Sequence, residues 1–250
     1  MPRRRIDLLL VERGLAPSRE KARALLLAGA VRAAGQKVDK AGALVDEDAV
    51  IEIAEPFPWV SRGALKLLAA LDHWRIDPAG RVCLDVGCST GGFTEVLLSR
   101  GALRVHAVDV GKGQLHYRLR SDPRVVLHEG VNARFLSRDI IGEDVQFAVC
   151  DVSFISATLV LPPIASVLSP PREFVVLVKP QFEAGRSQVG KGGIVRDPAV
   201  QAAAVERVRS AAASLGFCCE AIESPITGAE GNKEFLLYGF DPDGRHHREA

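Results

Sequence analysis

The run from Leu84 to Thr94, LDVGCSTGGFT, constrains the fold more than any other stretch of the chain. An apolar strand, read as Arg81 to Val86, breaks into a turn with glycines at 87, 91 and 92, and a helix opens from that turn toward Arg100. Glycines let the backbone turn tightly and approach a ligand with no Cβ in the way, while the first N–H groups of the helix point to the same place. A strand, a glycine turn and a helix in that order predict an α/β fold with a ligand cradle at the carboxyl end of the strand. A dinucleotide fold would need G-x-G-x-x-G, whereas here an acid precedes the first glycine, Asp85-x-Gly87-x-x-x-Gly91-Gly92. That spacing disfavours a nicotinamide oxidoreductase.

The rest of the second part of the chain follows the same rhythm. A strand over Arg104 to Val110 carries Asp109 near its end, where a carboxylate can accept hydrogen bonds from ribose hydroxyls. Further strands are read at Val125 to Leu127, Val145 to Cys150, Phe174 to Val178, Cys219 to Glu223 and Phe235 to Phe240. With helices between them, these predict a mainly parallel, seven-stranded sheet. Ser61 to Leu71 reads as a capped amphipathic helix bearing Lys66, and Asp197-Pro198 as the N-cap and first position of a helix running to about Leu215. The glycine-bearing stretch between Pro180 and Val195 is too long for filler and reads as a lid or substrate loop.

The first part of the chain has a different character. Residues 1–56 read as a separate small unit, 57–60 as a proline-stiffened linker with Trp59 as an anchor, and 61–245 as the α/β domain. Gly14 ends a short helix from Ile6, and Ser18 caps a second, Arg19 to Ala28. Short strands are expected at Ala30 to Arg32 and Ala49 to Ile53. Net charge is only +1, but the first 40 residues hold ten Lys/Arg against four Asp/Glu, which predicts a basic surface.

Composition closes off other classes. At 250 residues with 47% hydrophobic and 25% charged residues the chain is long enough for a packed core, and no run approaches the roughly 20 apolar residues of a membrane span. No signal peptide is read, because Leu8 to Val11 is followed at once by Glu12 and Arg13. The five cysteines lack C-x-x-C spacing and read as reduced thiols of a cytoplasmic protein, and the six histidines add no metal-ligand spacing, His246-His247 being a solvated tail. Oligomeric state is not readable.

Several motifs carry a resemblance. The pairing of Asp85 with Asp109 resembles the S-adenosylmethionine site of the common α/β methyltransferases. Asp151 and Lys179 fall at the ends of two strands, in DVSFIS (151–156) and KPQF (179–182); with Lys66 and Glu234 they resemble the Lys-Asp-Lys-Glu tetrad of FtsJ-like ribose 2′-O-methyltransferases. The N-terminal pattern, from GLAPSREKA (14–22) through LAGAV (27–31) and GQKV (35–38) to DEDAV (46–50), resembles the S4 RNA-binding domain. Together with the SRG box at 61–63 and GKGGIVRDP (190–198), the whole chain resembles the TlyA, or haemolysin A-type, family of rRNA cytidine 2′-O-methyltransferases. It departs from the family pattern at Phe57 and at Gly130-Val131.

The resemblance implies S-adenosylmethionine as cofactor, ribosomal RNA or ribosomal subunits as partner, and no metal. It implies catalytic roles for Lys66, Asp151, Lys179 and Glu234, and cofactor contacts from Asp85, Gly87, Cys88, Ser89, Gly91, Gly92, Phe93, Asp109, Asn132 and Asp151. Candidate RNA contacts are Arg19, Lys21, Arg23, Arg32, Lys37, Lys40 and Arg62, with Arg3, Arg4 and Arg5 as a flexible addition. A ribose hydroxyl is a poor nucleophile, so holding it in line and removing its proton as the bond forms is the chemistry such a tetrad suits. Phe154 is read as a core aromatic in preference to a stacking surface for the target base. Two other readings stay open: a haemolysin-like membrane-active protein, and a non-catalytic RNA-binding or ribosome-assembly factor.

Overall fold

The computed structural model describes residues 2–27, 29–53, 57–228 and 231–242, and the chain divides into two compact units, Met1–Pro58 and Trp59–Ala250. Ala54 to Pro56 at the end of the expected first unit, the expected end of the α/β domain at 245 and the histidine pair at 246–247 lie outside the described residues. Trp59 and Val60 pack on the core of the second unit, and the Val60 N–H donates to Glu95 Oε2 at 2.6 Å.

The first unit runs β1 (Arg3–Arg5), α1 (Ile6–Glu12), α2 (Arg19–Leu27), β2 (Val31–Ala33), β3 (Gln36–Val38), β4 (Leu44–Asp46) and β5 (Ile51–Ile53). Ile6 and Leu10 of α1 meet Ala22 and Leu26 of α2 over Val31, all fully buried, and β2 is the centre of a three-stranded antiparallel sheet. Arg3 to Arg5 are not a flexible addition: they form β1, paired antiparallel with β4. Carboxylates at the end of that strand and just past it take up the charge: Arg3 pairs with Asp46 at 3.6 Å and Arg4 with Glu47 at 3.2 Å. A run of three like charges reads as a loose arm only until the carboxylates opposite it are known.

The second unit runs α3 (Gly63–Trp74), β6 (Val82–Val86), α4 (Gly92–Ser99), β7 (Arg104–Asp109), α5 (Tyr117–Arg120), β8 (Val125–Glu129), α6 (Arg138–Ile141), β9 (Phe147–Cys150), α7 (Leu161–Val167), β10 (Glu173–Val178), α8 (Pro180–Glu183), α9 (Pro198–Ala213), β11 (Cys218–Glu223) and β12 (Phe235–Phe240). Its sheet has the order β11-β12-β10-β9-β6-β7-β8; β12 alone runs antiparallel to its neighbours. Strands β6, β9 and β10 are buried along their whole length because cores cover both faces, one built on α3 and α4 and the other on α7 and α9. The strand order reverses between β6 and β9, so their carboxyl ends open a crevice. Into the same end comes the start of β12, because that strand points the other way.

Two local expectations change. Ser61 does not cap α3 with its side chain; the N-cap is Arg62, with no side-chain bond. The stretch from Pro180 to Val195 is not an open loop. It begins as α8, includes a 3-10 turn at Arg186–Gln188, and ends pinned: the buried Asn232 side chain accepts from Val195 N and donates to the Gly193 carbonyl, both at 2.9 Å.

Gly239 tests how tightly the sheet is packed. It pairs with Phe174 across β10 and β12, and a methyl at 239 would overlap the buried Phe174 ring, which is itself held edge-on by Phe217 at 4.9 Å. Gly239→Ala should cost about 1–3 kcal/mol, read as a lower urea midpoint at unchanged slope; an unchanged midpoint would mean that the ring has room to turn.

Candidate active site

The glycine turn is shaped by what lies against it. Gly87 sits at φ +83°, and a Cβ there would stand 2.7 Å from the Asp151 carbonyl oxygen. A side chain at Gly92 would run into the Ser61 hydroxyl and come within 3.1 Å of Ala64 N, so glycine is what lets α3 approach the turn. Asp109, at the end of β7, holds the turn from the other side: Oδ2 accepts from Ser89 N at 2.8 Å and Oδ1 from Gly111 N at 2.7 Å. Each oxygen keeps a second lone pair for a ligand.

Below the turn, Asp85 is fully buried. Thr94 Oγ1 donates to its Oδ2 at 2.6 Å, and Oδ1 has no hydrogen-bond partner among the described residues. Burial first, then the neighbouring Asp151 and Asp109 charges, push this carboxyl up to about 7. An orphaned buried acceptor beneath a glycine cradle is a polarity that a cationic ligand would satisfy. Burial also drives the Cys88 thiol well above the ordinary thiol range, which makes it a packing group and not a nucleophile.

Two cavities meet at Gly87, Ser89, Asp151 and Ser153. One, about 470 Å³, is lined by Asp109, Val110, Gln114, Val131 and Asn132; its mixture of apolar walls and a carboxylate suits a nucleoside. The other, about 310 Å³, is lined by Arg62, Cys88, Gly92, Phe93, Lys66, Asp151 and Lys179. Gly91, at φ +99°, is the N-cap of α4 between them. Every cofactor candidate read from the sequence thus lies in or directly beside one continuous crevice.

The four charged candidates converge there from four elements. Lys66 comes from α3, Asp151 from the end of β9, Lys179 from the end of β10 and Glu234 from the residue before β12. Lys66 Nζ lies 2.5 Å from Glu234 Oε2 and 3.9 Å from Asp151 Oδ2, while Lys179 Nζ lies 2.6 Å from Asp151 Oδ1 and donates to Ser153 Oγ at 2.8 Å. Lys66, Lys179 and Glu234 are all buried, so the charges alternate along one desolvated line, Glu234, Lys66, Asp151, Lys179. Ser153 is a partner that sequence reading missed, although it sits two residues past Asp151 on the same extended segment; Thr94, nine residues from Asp85, offered no local signal.

Phe154 departs from expectation. It is 91% exposed, takes the left-handed backbone region at φ +64° and rests on Phe182 with ring centroids 5.2 Å apart. An apolar ring in an apolar-flanked motif reads as core, and only the turn after β9 shows that the backbone points it outward.

In the first unit the basic candidates separate into two groups. Arg5 and Arg19 each donate to the buried Asp7 carboxylate at 3.0 Å, with Arg23 4.0 Å from it; the Arg5 and Arg19 bonds hold Asp7 below the usual carboxylate range. Three half-exposed guanidiniums are thereby gathered on one facet, and Asp7, which sequence reading passed over, is what gathers them. Elsewhere, Arg4 is also taken up by Glu12 at 2.6 Å, Arg32 donates to its own hairpin at the Gly35 carbonyl, Lys37 covers Gly29, and Lys21 and Lys40 are exposed.

Comparison with known proteins places this geometry. Residues 59–240 match the FtsJ-like methyltransferase family and residues 4–51 the S4 domain. The chain is therefore an FtsJ-like methyltransferase carrying an S4 domain. It is 48% identical over 239 residues to the 16S/23S rRNA (cytidine-2′-O)-methyltransferase TlyA of Mycobacterium tuberculosis, covering 94% of this chain and 89% of that one. Against the 23S rRNA (cytidine-2′-O)-methyltransferase TlyA of Campylobacter jejuni it is 38% identical over 182 residues, 72% and 70% of the two chains. A solved structure from Streptococcus thermophilus that carries a hemolysin name superposes with a TM-score of 0.74 at 41% identity, covering 97% of this chain and 90% of that one. Within its class the chain belongs to the TlyA family. Among the described residues no helix is long and apolar enough to cross a membrane, and no group of three or more His, Cys, Asp or Glu side chains could hold a metal ion.

Asp85 gives the crevice a pH signature. Its folded pKa, about 7, lies above that of the unfolded chain, so the folded protein keeps a proton that the unfolded one has released. Stability contributed by that proton is complete below about pH 4, falls as pH rises toward 7 and is gone above it. Asp85→Asn removes this slope. In ligand-free protein the variant should gain on the parent by about 2 kcal/mol between pH 5 and pH 7 and no further beyond pH 8, measured by urea unfolding across pH. A constant difference would assign the buried acid an ordinary pKa.

Proposed function

We propose that this chain transfers the methyl group of S-adenosylmethionine to the ribose 2′-hydroxyl of a cytidine in ribosomal RNA, acting on ribosomal subunits in the cytoplasm. The observation that carries the reading is the line Glu234, Lys66, Asp151, Lys179, whose last three members line the same crevice as the glycine turn. Family membership supports the class of reaction, and the relatives from Mycobacterium and Campylobacter support the cytidine ribose as acceptor.

The residues fit the cofactor by their chemistry. Asp109 offers ribose acceptors, Val110 and Val131 an apolar cleft, Asn132 a polar rim, the turn from Gly87 to Phe93 a close backbone, and the orphaned Asp85 Oδ1 an acceptor for positive charge. When bound, S-adenosylmethionine supplies a methyl group on a cationic sulfur, ready for attack.

The chain's own side chains then have to hold and deprotonate a hydroxyl. Lys179 Nζ is the group that takes the proton of the 2′-hydroxyl, a role open to it only as the neutral amine and so only after it has released the proton it holds in the ion pair; Asp151 fixes its position and Ser153 satisfies a second hydrogen. Lys66, neutralised by Glu234, keeps Asp151 from turning away and adds positive potential beside the developing alkoxide. Phe154, exposed next to Asp151, is placed to receive the unstacked base. The Asp7-centred arginines are the phosphate contacts of the S4 unit, and Arg62 adds one at the crevice mouth.

The reading is tested with labelled S-adenosylmethionine and separated small and large subunits from a strain lacking the enzyme. Label should appear in 2′-O-methylcytidine, and Lys179→Ala should lose at least about 10²-fold in rate while still binding cofactor by calorimetry. A Lys179→Ala protein with the full biological effect would favour the assembly-factor reading, and leakage of pure lipid vesicles the membrane-active one. A second test addresses the RNA surface. Arg19→Gln with Arg23→Gln should weaken subunit binding at every salt concentration and lower the slope of log K against log salt by about 2. An unchanged slope would remove both residues from the interface.

A further inference from the structure

One buried acid near the crevice has no part in the chemistry just described. Glu183 closes α8, four residues after Lys179, and is 3% exposed. Its Oε1 accepts from the Ala157 backbone N–H and its Oε2 from the Ser156 hydroxyl, each at 2.6 Å. Arg207 of α9 donates to its backbone carbonyl, also at 2.6 Å. No ion pair with this carboxylate occurs among the described residues. A buried carboxylate satisfied only by neutral donors is costly to keep and adds little net stability over an apolar side chain of the same size.

Its two bonds tie together the far ends of two segments that also meet at Asp151–Lys179, Lys179–Ser153 and Phe154–Phe182. Ser156 and Ala157 end the irregular stretch that leaves β9 with Asp151, passes Ser153 and turns Phe154 outward; Glu183 ends the turn that leaves β10 with Lys179 and carries Phe182. Ser156 also fixes its own end of the stretch, bonding Thr158 Oγ1 at 2.7 Å and accepting from Thr158 N. The strands beneath pair only as far as Cys150 and Val176, so beyond them no backbone ladder sets how the two segments sit against each other. Glu183 takes that place.

We propose that Glu183 is a positioning residue for methyl transfer: its carboxylate clamps the Asp151 segment to the Lys179 segment, and so sets the Asp151–Lys179 pair and the Phe154–Phe182 platform together. The proposal rests on the function proposed above and assigns Glu183 no contact with substrate. Its chemistry requires two acceptors, or one acceptor and a donor, facing Ala157 N–H and Ser156 Oγ. A glutamine meets that need, since its carbonyl can accept from Ala157 while its amide donates to the Ser156 oxygen. An alanine does not.

The test is single-turnover methyl transfer by the full chain on whichever ribosomal subunit the parent modifies, with cofactor and subunit saturating, across a range of pH. Glu183→Ala should slow transfer by about 10-fold or more, since a displacement of an ångström at reacting groups can cost 10²-fold. Its pH–rate profile should depart from the parent's, because the Asp151–Lys179 pair, with Lys66 and Glu234 as the other charges on that line, would no longer be held in one geometry. Glu183→Gln should recover most of the rate and the parent profile. Ser156→Ala, which removes one bond from the opposite side and leaves Glu183 in place, should lose several-fold with a shift in the same direction, and keeps the test decisive if Glu183→Ala fails to fold. A parent that transfers no methyl group overturns the proposed function itself. A parent that does, with Glu183→Ala or Ser156→Ala slowed equally at all pH values or not at all, overturns the positioning role alone.

Discussion

Strands β6 and β9 pair in parallel through Val86 and Cys150, and just beyond that pair the Gly87 backbone passes so close to the Asp151 carbonyl that no side chain fits between. The cofactor cradle and the reacting line both hang from this contact. It places the glycine turn and Asp151, the first member of the proposed reacting line, side by side at the point where the strand order reverses. Asp109 then holds the turn from β7, and Lys179 meets Asp151 from β10. Moving either strand by one residue would send each of these side chains to the opposite face of the sheet.

The charges at the site are tolerable only because they alternate. Two ammonium and two carboxylate groups in a low-dielectric crevice would each be expensive alone, and each has an opposite neighbour within 2.6 Å. Asp85 lies outside that arrangement. Its burial first, then the neighbouring Asp151 and Asp109 charges, hold its proton up to about 7, against the Thr94 bond to one oxygen; the other oxygen has no partner among the described residues. Asp85 Oδ1 is therefore left as an unpaired acceptor beneath the glycine turn.

What could be read from the sequence follows from how local its cause is. The glycine turn, Asp109, the strands and the N-cap at Asp197 depend on neighbours along the chain; Asp197 does accept from Ala199 N at 2.8 Å, and Gly216 ends the helix region at φ +91°. The tetrad was legible because each member ends or adjoins a strand, although nothing local tied Lys66 to Glu234 across 168 positions. Residues whose state depends on distant partners were not legible. Arg3 to Arg5 became a strand because β4 pairs with it and carboxylates at Asp46 and Glu47 take up Arg3 and Arg4, Phe154 faces out because its backbone turns left-handed, Asn232 pins the end of a loop 39 residues away, and Asp7 collects arginines from one helix and one strand. The four-residue helices α5, α6 and α8 are too short to show a period at all.

Strand β12 is made last and used first. It sits between β10 and β11, so β11 has no neighbour in the sheet until β12 arrives, and Glu234 enters at its leading end. While the chain is being synthesised, a growing polypeptide that has passed Lys179 already owns the glycine turn, Asp151 and both lysines, yet Lys66 still lacks its counter-charge. The last strand of this sheet in chain order thus completes the sheet and supplies the counter-charge of Lys66 in one event.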